Sequence, residues 1–246
     1  MLMLRLKRRQ RGLIGVLLVS LGLPLGGISA GATTTFQKTL AGPSIAAMYP
    51  SGLDWDGALN RIVVADTGRD RVDFYAPDGT KQGEFGIHGP ADGQFDSPRD
   101  LAVDSQSSIY VADAGNNRIQ KFDKFGNHLW TVGGIGSCQS CLNTPIGISW
   151  DAANQVVLVA STGQNLIKAF DANGTWKWKS PAGSTLGVTS PRDVVRGPDG
   201  RVWVTAYKQH EIKAYDVTPA GAWTTTPAIV LGDGATGGHG DGQLNF

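Results

Sequence analysis

The stretch of sequence that decides the fold lies between residues 89 and 119. It begins with Gly89-Pro-Ala-Asp-Gly-Gln-Phe-Asp-Ser-Pro98, continues through the apolar run Leu101-Ala-Val103, and ends with Val111-Ala-Asp-Ala-Gly-Asn-Asn-Arg-Ile119. A proline followed by apolar runs recurs along the chain, and the four marker prolines are Pro50, Pro98, Pro145 and Pro191. They are 48, 47 and 46 residues apart. This regular spacing predicts a protein built from repeated structural units.

Each repeat has the composition of a small antiparallel sheet. Runs of about five residues rich in Val, Ile, Tyr, Phe and Trp favour strands. Gly supplies 34 of the 246 residues, about twice its usual share, which indicates many tight turns. Explicit turn signals occur at Pro77-Asp78-Gly79, Phe125-Gly126-Asn127, Asn173-Gly174 and Pro198-Asp199-Gly200. Four strands in each unit of about 47 residues predict an all-β fold, a β-propeller with one blade per repeat.

The second repeat resembles the NHL repeat. The resemblance rests on the lead-in, residues 89–98, and on the segment 111–119 quoted above. The first repeat is close, with Ala65-Asp-Thr-Gly-Arg-Asp-Arg-Val72, whereas the third and fourth lack the Asp and the Arg of this segment. The resemblance, to the six-bladed NHL-repeat β-propeller family of exported bacterial type, covers residues 49–246. It implies four-stranded blades that serve either as a binding module or as an enzyme.

The number of repeats predicts an incomplete propeller. Four blades are recognisable, whereas the resemblance implies six, and six such units need roughly 280 residues. The chain has 246 residues, so we expect the NHL propeller of residues 49–246 to be incomplete. Residues 33–48 resemble the outer strand of a blade, and we expect them to form a lead-in or ring-closing strand.

Residues 1–32 have the organisation of a signal peptide. Five cations within residues 5–11 precede an uncharged stretch, residues 12–32, that ends in small residues. The alternative is an uncleaved N-terminal membrane anchor, because this stretch is just long enough to span a bilayer. In both cases we expect the rest of the chain to be exported. The expected locations are therefore secreted, periplasmic or cell-surface, with N-terminal anchoring as the minor alternative.

The formal net charge of +1 hides an uneven distribution. Without the five cations of the N-terminal segment, 17 basic residues face 21 acidic ones, which is a net charge of −4. A mature domain of this charge has no overall electrostatic reason to bind a phosphate backbone. Nucleic acid is therefore excluded as an expected partner, and contact with a membrane is expected only through an uncleaved N-terminal segment.

Two acid–base pairs repeat with the fold. Asp66 precedes Arg71 by five residues, and Asp113 precedes Arg118 by the same interval, at the turn between two predicted strands. One interpretation is a charged recognition rim. The other is a structural pair that stabilises the turn, and this one is favoured because the pair recurs with the repeat.

The position two residues after each marker proline holds the sharpest candidate site. It is occupied by Gly52, Asp100, Gly147 and Asp193. The resemblance places this position at the start of the innermost strand, near the mouth of the central channel. Arg99 and Arg192 directly precede the two aspartates. Converging carboxylates could hold a divalent cation, either Ca²⁺ or Zn²⁺, whereas the alternative is that both aspartates accept hydrogen bonds from backbone amides.

The remaining motifs concern cysteine, histidine and tryptophan. Cys138 and Cys141 are separated by two residues, which in an exported protein predicts a local disulfide bond. Among the four histidines, no pair has the spacing of a metal site, and His88 lies in a Gly-rich lead-in where a loop residue is expected. Trp176 and Trp178 are expected to share one face of an outer strand, for packing between blades or for binding a partner.

These patterns predict an exported NHL-repeat β-propeller that acts as a non-catalytic interaction module for a protein, peptide or glycan. No nucleophile or metalloprotease motif is present in the sequence. The alternative is an enzyme, a metal-dependent lactonase-like hydrolase or a lyase with its site at the channel mouth. In that case Asp100 and Asp193 would be the residues on the metal side.

Overall fold

The computed structural model describes residues 49–232, which form four four-stranded antiparallel sheets. The first sheet contains β1 (Pro50–Asp56), β2 (Arg61–Asp66), β3 (Arg71–Tyr75) and β4 (Lys81–Phe85). The second contains β5 (Pro98–Val103), β6 (Ile109–Asp113), β7 (Arg118–Phe122) and β8 (His128–Gly133). The third contains β9 (Pro145–Asp151), β10 (Val156–Ser161), β11 (Leu166–Asp171) and β12 (Trp176–Lys179). The fourth contains β13 (Pro191–Arg196), β14 (Val202–Ala206), β15 (Glu211–Tyr215) and β16 (Ile229–Leu231).

The strands follow one another in order across each sheet, so every sheet is a simple antiparallel meander. The first strands of successive sheets contact one another, β1 with β5, β5 with β9 and β9 with β13. The sheets are therefore blades arranged around an axis that is lined by their first strands. This confirms the predicted all-β propeller with four-stranded blades. The four marker prolines are the first residues of the four innermost strands, a position at which a strand tolerates proline.

The predictions for residues 1–32 and 33–48 lie outside the described residues, and so does the segment 233–246. The predicted signal peptide, the lead-in strand and the incompleteness of the ring therefore stay predictions. Within residues 49–232, no helix has the length and apolar character that a membrane span requires.

The second strands of the first three blades are buried on both sides, whereas β14 alternates between buried and partly buried residues. Burial on both sides arises where blades pack face to face. All six residues of β10 are buried, and successive side chains point to opposite faces of a strand. Val157 and Val159 therefore pack against the second blade, whereas Leu158 and Ala160 pack against the fourth. This explains why the strand is a continuous apolar run without polar alternation.

The lead-in to the second blade contributes a buried aromatic side chain that packs between the first two blades. Phe95 is fully buried, and its ring centroid lies 5.4 Å from that of Phe122 and 6.1 Å from that of Phe85. Tilted ring pairs at these distances are favourable beyond their buried area. The conspicuous Gly-Gln-Phe of the lead-in is thus a packing element that joins neighbouring blades.

A turn with a left-handed residue connects the second and third strands of every blade. The left-handed residues are Asp70, Asn117, Asn165 and His210, with φ between 52° and 56°. Asp, Asn and His adopt this conformation more readily than most other residues. In three of the blades a 3₁₀ turn precedes this residue, at Thr67–Arg69, Thr162–Gln164 and Tyr207–Gln209.

The prediction that Trp176 and Trp178 share one face is wrong. Phe170 pairs with Trp176 and its neighbour Ala169 pairs with Trp178, because the register shifts between them. A bulge of this kind changes the face on which the following side chains lie. Trp178 packs between the third and fourth blades, and Trp176 packs between the second and third. Both serve packing between blades.

One short helix was not anticipated from the sequence. It is α1, Gly183–Leu186, in the connection that leads to the fourth blade. Leu186 is buried and packs into the core between the third and fourth blades. The carbonyl of Leu186 accepts a hydrogen bond of 2.6 Å from the Tyr215 hydroxyl, which ties this connection to β15.

Candidate functional site

The candidate residues gather on one face of the propeller, here named the connection face. It consists of the connections between blades, residues 86–97, 134–144 and 180–190, and of the turns 67–70, 114–117, 162–165 and 207–210. Register shows that these segments lie at the same edge of the sheets. In the second blade, the start of β5 pairs with the end of β6, and the start of β7 pairs with the end of β8.

At the inner edge of this face, glycine and aspartate alternate for a packing reason. A Cβ on Gly52 would lie 2.6 Å from the Asp100 Cα, and a Cβ on Gly147 would lie 2.6 Å from the Asp193 Cα. These distances are shorter than real Cβ contacts allow. The first and third blades therefore require glycine at this position, since the next innermost strand passes so close.

Asp100 is engaged by backbone amides through both of its carboxylate oxygens. The Leu101 N–H donates to Oδ1 (2.9 Å), and the Ile148 N–H of the next blade donates to Oδ2 (3.0 Å). Burial, together with a smaller effect of the negative charges of Asp193 and Asp54, raises the pKa of this carboxyl to about 7. Asp100 thus bridges two innermost strands and gains a proton close to neutral pH.

Asp193 occupies the matching position in the fourth blade. It is exposed, and its Oδ1 accepts a hydrogen bond of 2.8 Å from the Val194 N–H. Its own N–H donates to the Thr205 hydroxyl (2.8 Å). Desolvation raises the pKa of Asp193, and the negative charge of Asp193 contributes to the raised pKa of Asp100.

Asp54 belongs to the same group and was missed in the sequence. It lies on β1 two positions after Gly52, and its Oδ2 accepts a hydrogen bond of 2.8 Å from the Val103 N–H of the second blade. Its Oδ1 accepts one of 2.7 Å from the Trp55 N–H. The corresponding residues in the other blades are Ala102, Ser149 and Val195. No repeated signal marks this position, so a comparison of repeats could not identify it.

Two of the three channel carboxylates tie neighbouring innermost strands together, whereas Asp193 accepts its hydrogen bond from the Val194 N–H of its own strand. Asp54 and Asp100 each bridge to an amide of the following blade. Within residues 49–232, neither Asp100 nor Asp193 belongs to a set of three candidate ligand side chains close enough to share a metal ion. The described geometry therefore shows the hydrogen bonds of the backbone-amide interpretation, and a cation at the channel mouth stays a prediction.

The two arginines next to these aspartates face solvent on the connection face. Arg99 and Arg192 are both exposed. The guanidinium carbon of Arg192 lies 3.7 Å from the centre of the Tyr207 ring, in the arrangement of a cation–π contact. The carbonyl of Arg99 accepts a hydrogen bond from the Ser51 hydroxyl of the first blade. Guanidinium groups therefore line the mouth of a channel whose walls carry carboxylates.

The repeated acid–base pairs have structural partners. Arg118 Nε lies 2.7 Å from Asp113 Oδ2, and both side chains are buried. The guanidinium also donates to three carbonyls of the lead-in, those of Pro90, Ala91 and Gln94, at 2.7–2.8 Å. The pair thus anchors the connection between blades.

The corresponding pair in the first blade is looser. Arg71 Nε lies 3.6 Å from Asp66 Oδ2 and 3.0 Å from Asp73 Oδ1. Arg71 also contacts Glu84 at 2.6 Å. Burial raises the pKa of Asp66, and the nearby charge of Asp73 raises it further. Arg71 therefore divides its interactions among three carboxylates, in contrast to Arg118.

The structure contains the disulfide bond between Cys138 and Cys141. It lies in the connection between the second and third blades, on the connection face. The Cys141 carbonyl accepts a hydrogen bond from the Lys168 ammonium group, and burial lowers the pKa of Lys168 to about 8. The disulfide loop is thus fixed to β11 at its buried end, while Ile135 near its start is 76% exposed.

The sequence profile of the NHL repeat matches residues 95–122, which include the segment that anchors the lead-in. This segment is an NHL repeat. Protein brain tumor of Drosophila melanogaster is 32% identical over 145 residues, which are 55% of this chain and 13% of that protein. Human NHL repeat-containing protein 3 is 31% identical over 116 residues, which are 46% of this chain and 33% of that protein. The chain therefore spans a third or less of the length of these curated relatives.

Solved structures agree with the propeller fold of this chain. A streptogramin B lyase structure has a TM-score of 0.57 at 20% identity, covering 74% of this chain and 55% of that chain. Kuenenia stuttgartiensis hydrazine synthase has a TM-score of 0.56 at 16% identity, covering 84% of this chain and 55% of that chain. At such identities the similarity shows the propeller fold alone, since one fold hosts many functions.

Proposed function

We propose that this chain is an exported, non-catalytic NHL propeller whose connection face binds a protein or peptide partner, with a glycan as the other ligand class. The observation that carries the proposal is how the channel carboxylates are hydrogen-bonded. Asp54 and Asp100 direct their carboxylates to backbone amides of the next blade, which is a structural use. Arg99 and Arg192, in contrast, are exposed beside the connecting loops.

The chemistry of this face suits a polypeptide ligand. Arginine and aromatic side chains are the residues most enriched in the energetic centres of protein interfaces, and here Arg192 stacks on Tyr207. The human E3 ubiquitin-protein ligase NHLRC1 is a relative at 29% identity over 117 residues, which are 48% of this chain and 28% of that protein. The two exposed arginines, Arg99 and Arg192, favour a ligand segment that carries carboxylates.

Selection from a peptide display library with the full-length chain as bait tests this proposal. We expect selected peptides to be acidic. Their affinity should fall at least tenfold in the Arg99→Ala/Arg192→Ala variant. The matched control is Lys124→Ala/Lys177→Ala, which removes the same charge from exposed residues outside the connection face. Selection of no peptides, or equal loss of affinity in both variants, would contradict the proposal.

Export has a separate test. If residues 1–32 act as a signal peptide, N-terminal sequencing of protein recovered outside the cytoplasm should begin within a few residues of position 33. Recovery of chains that still begin at Met1 in a membrane fraction would support the anchor instead. Recovery of the intact chain only in the cytoplasm would refute export.

The second candidate function is that of a hydrolase or lyase at the channel mouth. It is favoured by Asp100, whose pKa of about 7 would let it donate or accept a proton near neutral pH. In this case an Asp100→Asn variant should lose turnover of a lactone or peptide substrate while it keeps peptide binding. Loss of binding without any measurable turnover in the wild type would favour the interaction module.

A further inference from the structure

A second cluster of charged groups lies at the outer part of the connection face, between the first and second blades. It consists of Asp70, His88 and Asp96, here named the junction cluster. One ligand atom from each residue lies within 4.8 Å of the other two, and His88 Nδ1 is 3.0 Å from Asp70 Oδ2. These residues are 18 and 8 positions apart in sequence, and only the path of the lead-in brings them together.

The two carboxylates of the junction cluster are fixed by the backbone around them. Asp70 Oδ1 accepts a hydrogen bond of 2.6 Å from the Ser97 N–H. Asp96 Oδ1 accepts one of 3.0 Å from the Ser97 hydroxyl, and the Asp96 carbonyl accepts one of 2.8 Å from the Gly115 N–H. The His88 side chain, in contrast, is 73% exposed. Two preorganised acids thus face an accessible imidazole.

The next junction makes the same hydrogen bonds without any charge. Asn117 takes the place of Asp70, and its Oδ1 accepts a hydrogen bond of 2.8 Å from the Thr144 N–H. Asn143 takes the place of Asp96, since its Oδ1 accepts one of 3.1 Å from the Thr144 hydroxyl and its carbonyl one of 3.0 Å from the Gly163 N–H. A side-chain amide is therefore sufficient to make the hydrogen bonds that hold a junction together. The two negative charges at the first junction are not required for these hydrogen bonds.

Two carboxylates whose negative charges the hydrogen bonds do not require lie beside an imidazole, and this combination points to a metal ion. An imidazole and two carboxylates form a ligand set that suits Zn²⁺, with water completing four-coordination. Ca²⁺ prefers oxygen ligands alone and a larger number of them. We propose that Asp70, His88 and Asp96 bind one Zn²⁺ ion, which links the turn of the first blade to the lead-in of the second.

The site is distinct from the channel mouth and independent of the proposed peptide binding. Its ligands come from the turn 67–70 and the connection 86–97, whereas Asp100 and Asp193 lie on innermost strands. The ion would join two segments that are otherwise held by hydrogen bonds to Ser97. Because the folded state alone brings the three ligands together, bound Zn²⁺ should stabilise it.

Calorimetric titration of the metal-free full-length chain with Zn²⁺ tests the proposal, together with the shift in melting temperature on addition of Zn²⁺. We expect one ion per chain and a higher melting temperature. The Asp70→Asn/Asp96→Asn variant copies the uncharged second junction, so it should keep its fold. Its affinity for Zn²⁺ should fall at least tenfold. His88→Gln should show the same loss.

The matched control is His128→Gln. His128 Nε2 contacts the Thr131 hydroxyl at 2.8 Å and lies 3.7 Å from Asp92, so it is a histidine with one carboxylate nearby and outside the cluster. Its replacement should leave Zn²⁺ binding unchanged. The proposal is overturned if the wild type takes up no Zn²⁺, if the control loses as much affinity as His88→Gln, or if equimolar Ca²⁺ displaces the Zn²⁺.

Discussion

Replacement of Arg118 by methionine should destabilise the propeller severely, because Arg118 is the anchor of a whole connection between blades. The substitution keeps much of the alkyl stem and removes the guanidinium group. Asp113 is then left fully buried without its cation, which lies 2.7 Å away in the wild type. Three carbonyls of the lead-in lose their charged donor as well.

The magnitude follows from burial. Removing one partner of a buried ion pair costs about 3–5 kcal/mol, since an uncompensated charge remains inside the protein. That is a large part of the roughly 5–15 kcal/mol that stabilises a typical domain. An exposed pair, by comparison, contributes at most about 1 kcal/mol. The expected loss for Arg118→Met is therefore several times that of any surface substitution.

Urea denaturation followed by tryptophan fluorescence measures this loss, with Lys124→Met as the exposed control. Hydrogen exchange should accelerate at the amides of residues 89–95, because the guanidinium no longer fixes the lead-in. The double variant Arg118→Met/Asp113→Asn should recover part of the stability, since it removes the orphaned charge. A loss below about 1 kcal/mol would refute the structural role. Impaired peptide binding at unchanged stability would instead support a recognition rim.

Three further outcomes are expected. Gly147→Ala should lower the free energy of unfolding by about 1–3 kcal/mol. The new Cβ would lie 2.5 Å from the Arg192 carbonyl oxygen and force two innermost strands apart. A urea denaturation midpoint equal to that of the wild type would contradict this. The pKa of Asp100 is raised from 3.8 to about 7 in the folded state, so the folded state binds more protons between these values and its stability falls as pH rises from about 4 to about 7. Asp100→Asn should therefore flatten the decline in unfolding free energy over that range, and an unchanged slope would show that Asp100 does not cause it. Cys138→Ser/Cys141→Ser should cost no more than about 2 kcal/mol because the ring is so short, and thermal melts that show global unfolding would contradict this local role.

Much of the fold could be predicted from residues that are close in sequence. Proline, short apolar runs and turn residues recur with each blade, and all four marker prolines begin an innermost strand. The disulfide bond between Cys138 and Cys141 was predictable for the same reason, since only two residues separate the cysteines. Local spacing also indicated the partnership of Asp113 with Arg118.

Features that depend on the register of neighbouring strands could not be predicted. A bulge in the pairing of β11 with β12 places Trp176 and Trp178 on opposite faces, although strict alternation predicts one face. Asp54 has no counterpart in the other repeats, and its bond to the Val103 amide exists only because β1 and β5 lie side by side. No local pattern marks such a contact.

The sequence by itself determined the all-β class, the blades, their order and the short disulfide loop. These depend on short apolar runs that favour strands and on turn residues that act within a few positions. Tertiary structure decided which charged groups meet. Asp100 meets the Ile148 amide 48 residues away, and Asp70, His88 and Asp96 converge through the path of one connection. Such encounters follow from the packing of one blade against the next, which no single repeat contains.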